Sequence, residues 1–147
     1  MEHIRTAIVA FAFFACASVA AAAERPSDAI RRDAPKGLTE TFYACIDEAS
    51  HSDIDKAYCL SQERERQDDR LNRTYRALLQ KLDGDQKKDV VEAERAWVKW
   101  QDETSSVEGA LYGVELIGNL QVTENETFAI CRQANRLEQY LSLANDL

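Results

Sequence analysis

The sequence contains very little histidine, glycine or proline, with two, five and two residues respectively among 147. A histidine-rich metal site or a glycine-rich phosphate loop would therefore lack the residues that it needs. His3 lies near the start of the chain, so a Ser/His/Asp or Cys/His nucleophile would depend on His51, which stands between two serines in a predicted turn. A solvated polar residue is the usual explanation for such a histidine. We predict no catalytic residue, no metal site and no cofactor.

Positive charge is also in short supply, since 18 Lys and Arg stand against 26 Asp and Glu, for a formal net charge of −8. Nucleic-acid and anionic-membrane surfaces both need a basic patch, so these partners are disfavoured. A cationic protein partner would suit the charge better. Apolar residues make up 45% and charged residues 30%, which is typical of one small globular domain rather than a disordered chain.

The first 23 residues have the pattern of a signal peptide. Arg5 precedes an alanine-rich apolar run over residues 7–23, and the polar Glu24 follows it. We expect cleavage before Glu24, because small residues stand where a signal peptidase requires them. Residues 7–23 are short and weakly hydrophobic for a membrane anchor of about 20 residues. Residues 13–15, before Cys16, match a lipoprotein signal poorly. These features predict a soluble periplasmic or secreted protein that has no stable membrane insertion after cleavage.

The three cysteines that remain after cleavage allow one disulfide and leave one thiol over. Cys45 and Cys59 are 14 residues apart and flank a turn-like segment over residues 50–53, so a bridge between two adjacent helices is the simplest pairing. Closing a loop of this size would contribute about 3 kcal/mol. Cys131 is then the unpaired thiol, either buried in the last helix or bridging two chains.

Helical periodicity dominates the chain beyond a proline-containing leader at residues 24–37, which we expect to be flexible. Thr39 and Ser52 are predicted to cap a short and a long helix, and Asp83 to cap a third. Residues 105–122 suit a short helix or a packed loop, and Thr123 is predicted to cap the last helix. No segment shows strand alternation. We therefore predict an all-α bundle of about four helices over residues 38–147, built on an antiparallel hairpin and stapled by a disulfide.

Two clusters on the second and third predicted helices are candidates for a role in structure. If these two helices pair in an antiparallel hairpin, the side-chain oxygens of Asp68 and Asn72 could accept hydrogen bonds from the Arg95 guanidinium and hold the hairpin in register. Paired carboxylates for glycoside hydrolysis are disfavoured, because most of the acids lie on polar helix faces. The full set of structural candidates is Asp68, Leu71, Asn72, Tyr75, Arg95, Trp97 and Asp102.

Residues 42–131 resemble the lysozyme inhibitor LprI-like family. The resemblance is carried by Cys59, by D-x-x-L-N-x-x-Y at residues 68–75 and by R-A-W at residues 95–97. It implies a small exported helical protein that binds and inhibits lysozyme, and it pairs Cys45 with Cys59. The family's next cysteine is replaced by Ser105, so that Cys131 loses its expected partner. Gln101 also stands where the family has an arginine.

Two surfaces are candidates for contact with a protein partner such as lysozyme. One is the run of ten polar residues at 61–70, which is either a solvated helix face or a contact surface, and the other is the glycine-containing segment around Tyr112. The candidate contact residues are Glu63, Glu65, Asp69 and Tyr112. An immunity protein against a cell-wall toxin and a non-inhibitory envelope scaffold are the alternatives. An envelope enzyme is disfavoured, because no nucleophile, metal set or cofactor loop is visible.

Overall fold

The structure, a computed structural model, describes residues 24–113 and 115–146. The predicted signal peptide, with Cys16, lies outside the described residues. The described chain forms helices without any strand, which confirms the all-α prediction, although it has five helices rather than about four. These are α1 (Pro26–Asp33), α2 (Glu40–Ala49), α3 (Asp53–Lys81), α4 (Gly84–Tyr112) and α5 (Leu116–Asn145).

The three long helices pack with α5 in the middle. Helix α3 runs parallel to α5, as the ion pair between Arg64 and Glu126 and the hydrogen bond between Arg70 and Asn135 show. Helix α4 runs antiparallel on α5, so the antiparallel pair of the bundle is α4 with α5. The core therefore contains an antiparallel hairpin, as predicted, but α4 packs on α5 rather than on α3. Helical periodicity identifies an apolar face but does not say which helix will cover it.

Helix α2 closes one end of the bundle against the first turns of α3 and the middle of α5. The disulfide Cys45–Cys59 joins α2 to α3 with 5.8 Å between the Cα atoms, which confirms the predicted pairing. Phe42 and Ile46 are completely or almost completely buried beside it. A second apolar cluster continues along α3 and α5, where Trp97 packs from α4. Its buried members are Leu71, Leu78, Ile130, Ala134 and Leu137.

Residues 24–37, expected to be a flexible leader, contain helix α1. Pro26 stands in the first turn, where proline is well suited to a helix, and Ser27 is fully buried. Both the N–H and the hydroxyl of Ser27 donate to the carboxylate of Asp47 at 2.9 Å, which ties α1 to α2. The tie is long-range in sequence, and local periodicity could not reveal it.

The predicted helix caps have mixed outcomes. Thr39 and Ser52 cap α2 and α3 as expected, by accepting the N–H groups of Phe42 and Asp55. The side chain of Asp83 makes no capping bond. Thr123 is a correction, because it lies inside α5 and its hydroxyl donates to the carbonyl of Asn119. A threonine can bond backward within a helix as well as forward at a cap, and the sequence pattern does not separate the two.

Residues 105–122 are also more regular than predicted. Helix α4 continues to Tyr112 and α5 begins at Leu116, so the connection between them, which we call the α4/α5 turn, is shorter than the expected short helix or loop. Gly113 adopts a φ of +83°, a conformation that favours glycine. A Cβ atom at Gly118 would lie 2.5 Å from the carbonyl oxygen of Tyr112. These two glycines therefore allow the helices to meet closely at this end. Within the described residues, no helix is long and apolar enough to span a membrane.

Candidate binding surfaces

The polar run at residues 61–70 does not form one continuous surface. Glu63 is fully buried, and its carboxylate accepts hydrogen bonds from the N–H and hydroxyl of Thr39, at 2.9 and 2.6 Å, and from Gln67 at 2.7 Å. Arg66 completes the set with an ion pair at 3.0 Å. Glu63 is therefore unavailable to a partner, in contrast to its place among the candidate contact residues.

The burial of Glu63 has a signal in the sequence that the polar composition hides. Glu63 and Gln67 lie three and seven residues after the buried Leu60, and Leu71 and Leu78 extend the same helical stripe. A polar residue on the apolar stripe of a helix is expected to be buried with hydrogen-bond partners. Position on the stripe is therefore a better guide to burial here than residue type.

A polar clamp, formed by Gln67, Arg70 and Asn135, holds the segment that enters α2. Gln67 donates to the carbonyl of Gly37 at 2.9 Å, and Asn135 donates to the carbonyl of Lys36 at 2.7 Å. Arg70 donates to the side-chain oxygen of Asn135 and to both carboxylate oxygens of Glu138, and its hydrogen bonds to Glu138 hold the pKa of that carboxyl below its usual range. The clamp therefore joins α3, α5 and the connection between α1 and α2.

The exposed remainder of the α3 polar run includes Glu65 and Asp69. Both predicted contact residues are open to solvent, whereas their neighbour Arg64 pairs with Glu126 of α5 at 3.2 Å. This face is charged and has few apolar side chains. A solvated helix face accounts for it without a partner.

The family-motif residues are divided between two interfaces. Asn72 donates to the carboxylate and the carbonyl of Asp68 at 2.9 Å, a contact within α3. Arg95 is exposed on α4 and makes no hydrogen bond to either, so the predicted register contact is absent from the described structure. The physical reason is that α4 lies on α5. Leu71, Tyr75 and Trp97 do share one apolar cluster, while the side chain of Asp102 is exposed.

Cys131 is a free and fully buried thiol, as one of the two predictions for it proposed. Its Sγ donates to the carbonyl of Lys36 at 3.4 Å, on the side of α5 that faces α3. Burial raises the pKa of this thiol. Ser105, the position of the missing family cysteine, accepts a hydrogen bond from Gln101 in α4. The two positions therefore contact different parts of the bundle.

The α4/α5 turn presents a cluster of exposed apolar side chains, which we call the hairpin tip: Val107, Leu111, Tyr112, Leu116 and Ile117. Leu111 and Ile117 are 78% and 73% exposed, and Tyr112, predicted as a contact residue, is 51% exposed. Beside the turn, Tyr112, Ile117 and Gln121 line an open hollow of about 660 Å³. Clustered exposure of this kind is unusual in a protein that has no partner.

A groove between α4 and α5 combines aromatic and charged groups. One part, of about 440 Å³, is lined by Trp97, Trp100, Arg132 and Arg136. The second part, of about 280 Å³, shares Trp97 and Arg136 and reaches Glu94. Only 8% of Glu94 is exposed, and burial raises the pKa of its carboxyl. Sequence reasoning missed this groove, because it gave Trp97 only a structural role and did not consider Arg132.

The described residues contain no cluster of histidine, cysteine and carboxylate side chains that could hold a metal ion. A family model with the description "Lysozyme inhibitor LprI" matches residues 45–141, which is more than half of the chain. The matched span contains the second half of α2, all of α3 and α4, and α5 up to Leu141. No curated protein and no solved structure matches the chain.

Proposed function

Because the chain belongs to the lysozyme inhibitor LprI family, we propose that it is an exported binding protein that inhibits a lysozyme-type muramidase by protein–protein contact. The hairpin tip is the contact surface in this proposal. The observation that carries it is the clustering of exposed apolar side chains at the α4/α5 turn, with Leu111 and Ile117 each more than two-thirds exposed. The removal of such a patch from water by a partner stabilises the complex.

Charge supports a cationic enzyme as the partner. Four acidic residues lie on or near the hairpin tip, against a single lysine at residue 99: Asp102, Glu103, Glu108 and Glu115. With the net charge of −8, these acids would steer a basic protein such as many lysozymes toward the surface. The apolar side chains would then supply the buried centre of the interface and the acids its polar rim.

The turn geometry supports a preorganised surface. The end of α4 lies close to the start of α5, because Gly118 leaves room for the carbonyl of Tyr112. The apolar side chains on both sides of the turn are therefore presented from two packed helices. A preorganised surface loses less conformational entropy on binding than a flexible loop does.

The test uses the oxidised protein from residue 24 to residue 147. Binding to hen-type, goose-type and invertebrate-type lysozymes is measured by calorimetry, together with inhibition of cell-wall clearing. We expect tight binding and inhibition for at least one type. Absence of binding to all three would overturn the proposed function.

Surface variants locate the interface. The double change Leu111→Ser and Ile117→Ser should weaken binding by about tenfold or more, because it removes apolar area at the centre of the contact. The matched control is Leu143→Ser, since Leu143 is 64% exposed near the other end of α5. A second double variant, with the changes Glu65→Lys and Asp69→Lys, tests whether the charged face of α3 binds the partner. Loss of binding in the α3 variant alone would place the interface there and overturn the assignment to the hairpin tip.

A further inference from the structure

The α4/α5 groove has chemistry that the hairpin tip lacks. Trp100 is 56% exposed, and Trp97 lines both parts of the groove. An indole face in an open groove can pack on a flat ring of a ligand, through the apolar face of a sugar or through an aromatic ring. The groove therefore has a surface for a ring-shaped ligand.

Two arginines supply positive charge beside the tryptophans. Arg132 and Arg136 lie one helical turn apart on α5, and both line the larger part of the groove. None of the ion pairs formed within the described ranges includes Arg132 or Arg136, although Arg136 is close enough to Glu94 to attract it electrostatically. Two such guanidinium groups in a protein of net charge −8 are available to a carboxylate, which arginine binds with paired hydrogen bonds.

The deep end of the groove contains an unsatisfied acceptor. Gln133 donates to Oε2 of Glu94 at 2.7 Å, while Oε1 of Glu94 is buried and has no hydrogen-bond partner within residues 24–113 and 115–146. A buried polar atom without a partner costs free energy. A hydroxyl or amide of a ligand that reaches this part of the groove would satisfy it.

We propose that the α4/α5 groove binds a small ligand in which a carboxylate is attached to a ring with a flat apolar face. The ring packs on Trp97 and Trp100, the carboxylate meets Arg132 and Arg136, and a polar group of the ring reaches Glu94. Asp89 lines the smaller part of the groove, and its negative charge would repel a carboxylate. The ligand's carboxylate is therefore placed at the arginines of the larger part. The volumes of about 440 and 280 Å³ suit a ligand of one or two rings. This site does not depend on the proposed inhibition of lysozyme.

An acidic sugar and an aromatic acid share this chemistry, and the test separates them. The probes are N-acetylmuramic acid, with N-acetylglucosamine as its partner without a carboxylate, and 4-hydroxybenzoate, with the uncharged 4-hydroxybenzamide. The readout is the pair of indole N–H signals in an NMR titration of the oxidised chain from residue 24. Because Trp97 and Trp100 are the two tryptophans of the sequence, both signals report on the groove.

We expect at least one acid to shift both indole signals saturably, with a dissociation constant on the order of 1 mM. Its uncharged counterpart should bind at least about tenfold more weakly. The acid that binds identifies the source of the ligand. The change Arg132→Gln with Arg136→Gln should remove the preference for the acid. The matched control is Arg73→Gln with Arg76→Gln, which makes the same change of charge at exposed positions on α3 and should leave binding unchanged.

Three results would overturn the proposal. The first is the absence of a saturable shift with either acid. The second is equal binding of the acid and its uncharged counterpart. The third is unchanged binding of the acid by the Arg132 and Arg136 variant. The comparison of acid with uncharged probe uses the unmodified protein, so it holds even if a variant is poorly folded.

Discussion

The hydroxyl of Thr39 donates to the carboxylate of Glu63 at 2.6 Å and accepts the N–H of Phe42 at 3.1 Å. The N-terminal cap of α2 is therefore oriented by a residue of α3, 24 positions away in the sequence. The second oxygen of Glu63 accepts the N–H of Thr39 at 2.9 Å. One buried carboxylate thus satisfies two donors at the start of a helix, where the backbone N–H groups have no partner within the helix.

Replacement of Glu63 should therefore destabilise the protein strongly. Glu63→Ala leaves the donors of Thr39 and Gln67 without an acceptor in the core, and we expect the free energy of unfolding to fall by about 3 kcal/mol. Urea unfolding of the oxidised protein measures the change. Glu65→Ala is the control, because the exposed Glu65 should change the stability by no more than about 0.5 kcal/mol. Equal effects of the two variants would contradict the buried position of Glu63.

Two glycines in helices offer a matched test of the α4/α5 turn. A Cβ atom at Gly118 would lie 2.5 and 2.7 Å from two backbone oxygens, whereas one at Gly109 meets nothing within 4 Å. Gly118→Ala should lower the free energy of unfolding by about 1–3 kcal/mol, since backbone must move. Gly109→Ala should raise it by up to about 1 kcal/mol, because alanine favours a helix. Thermal unfolding followed by circular dichroism distinguishes these opposite signs, and a stabilising Gly118→Ala would contradict the close approach.

Glu94 should make the stability depend on pH in an uncommon direction for a carboxylate. Burial raises the pKa of this group, so the folded protein keeps its proton to a higher pH than the unfolded chain does. The stabilising contribution is therefore fully present below the unfolded pKa of about 4.3, and it is lost as the pH rises through the raised pKa of the folded state. The Glu94→Gln variant cannot ionise at this position, so its free energy of unfolding should not show this decrease. Relative to the parent protein, the variant should therefore become more stable as the pH rises toward neutral. Urea unfolding at a series of pH values measures the difference.

Glu92→Gln is the control for the pH series, because Glu92 is exposed in the same helix. The difference in stability between this variant and the parent protein should lack the trend that Glu94→Gln shows above about pH 4.3. A constant difference between Glu94→Gln and the parent protein across the series would contradict a buried carboxyl with a raised pKa.

The thiol of Cys131 should be unreactive in the folded protein. Its side chain is fully buried, and burial raises its pKa, so that both access and the fraction of thiolate are low. In the oxidised protein from residue 24 to residue 147, we expect a disulfide reagent to modify about one thiol per chain after unfolding in urea and much less than one before it. Electrophoresis without reductant should show a monomer. Rapid modification of the folded protein, or a disulfide-linked dimer, would contradict this arrangement.

Much of the secondary structure follows from local sequence. The spacing of apolar residues predicts long helices, and Thr39 and Ser52 stand at helix starts because their hydroxyls can accept the N–H groups of the first turn. The pairing of Cys45 with Cys59 follows from a short loop that a turn can close. The start of α5 could not be predicted in this way, because Thr123 satisfies the pattern of a cap while bonding backward inside the helix.

The candidate surfaces were harder to predict than the helices. Tyr112 is exposed on the hairpin tip, as a contact residue must be, whereas Glu63 is buried in the core despite its polar neighbours in the sequence. The α4/α5 groove needs Trp100 and Arg132, from helices that the sequence analysis did not pair. Contacts between residues far apart in the chain depend on which apolar faces meet, and periodicity alone carries no information about that choice.

The sequence by itself determined the all-α class, the long helices and the cysteine pair, because backbone hydrogen bonding, helix capping and loop closure are local properties. Only the tertiary structure decided that α5 lies between α3 and α4, that Glu63 is buried and that Trp97 and Arg136 line one groove. The physical reason is that burial of apolar surface is nondirectional, so several pairings of the same helices satisfy it. The specific polar contacts, such as Glu63 with Thr39 and Arg70 with Asn135, select one pairing, and they exist only once the helices have packed.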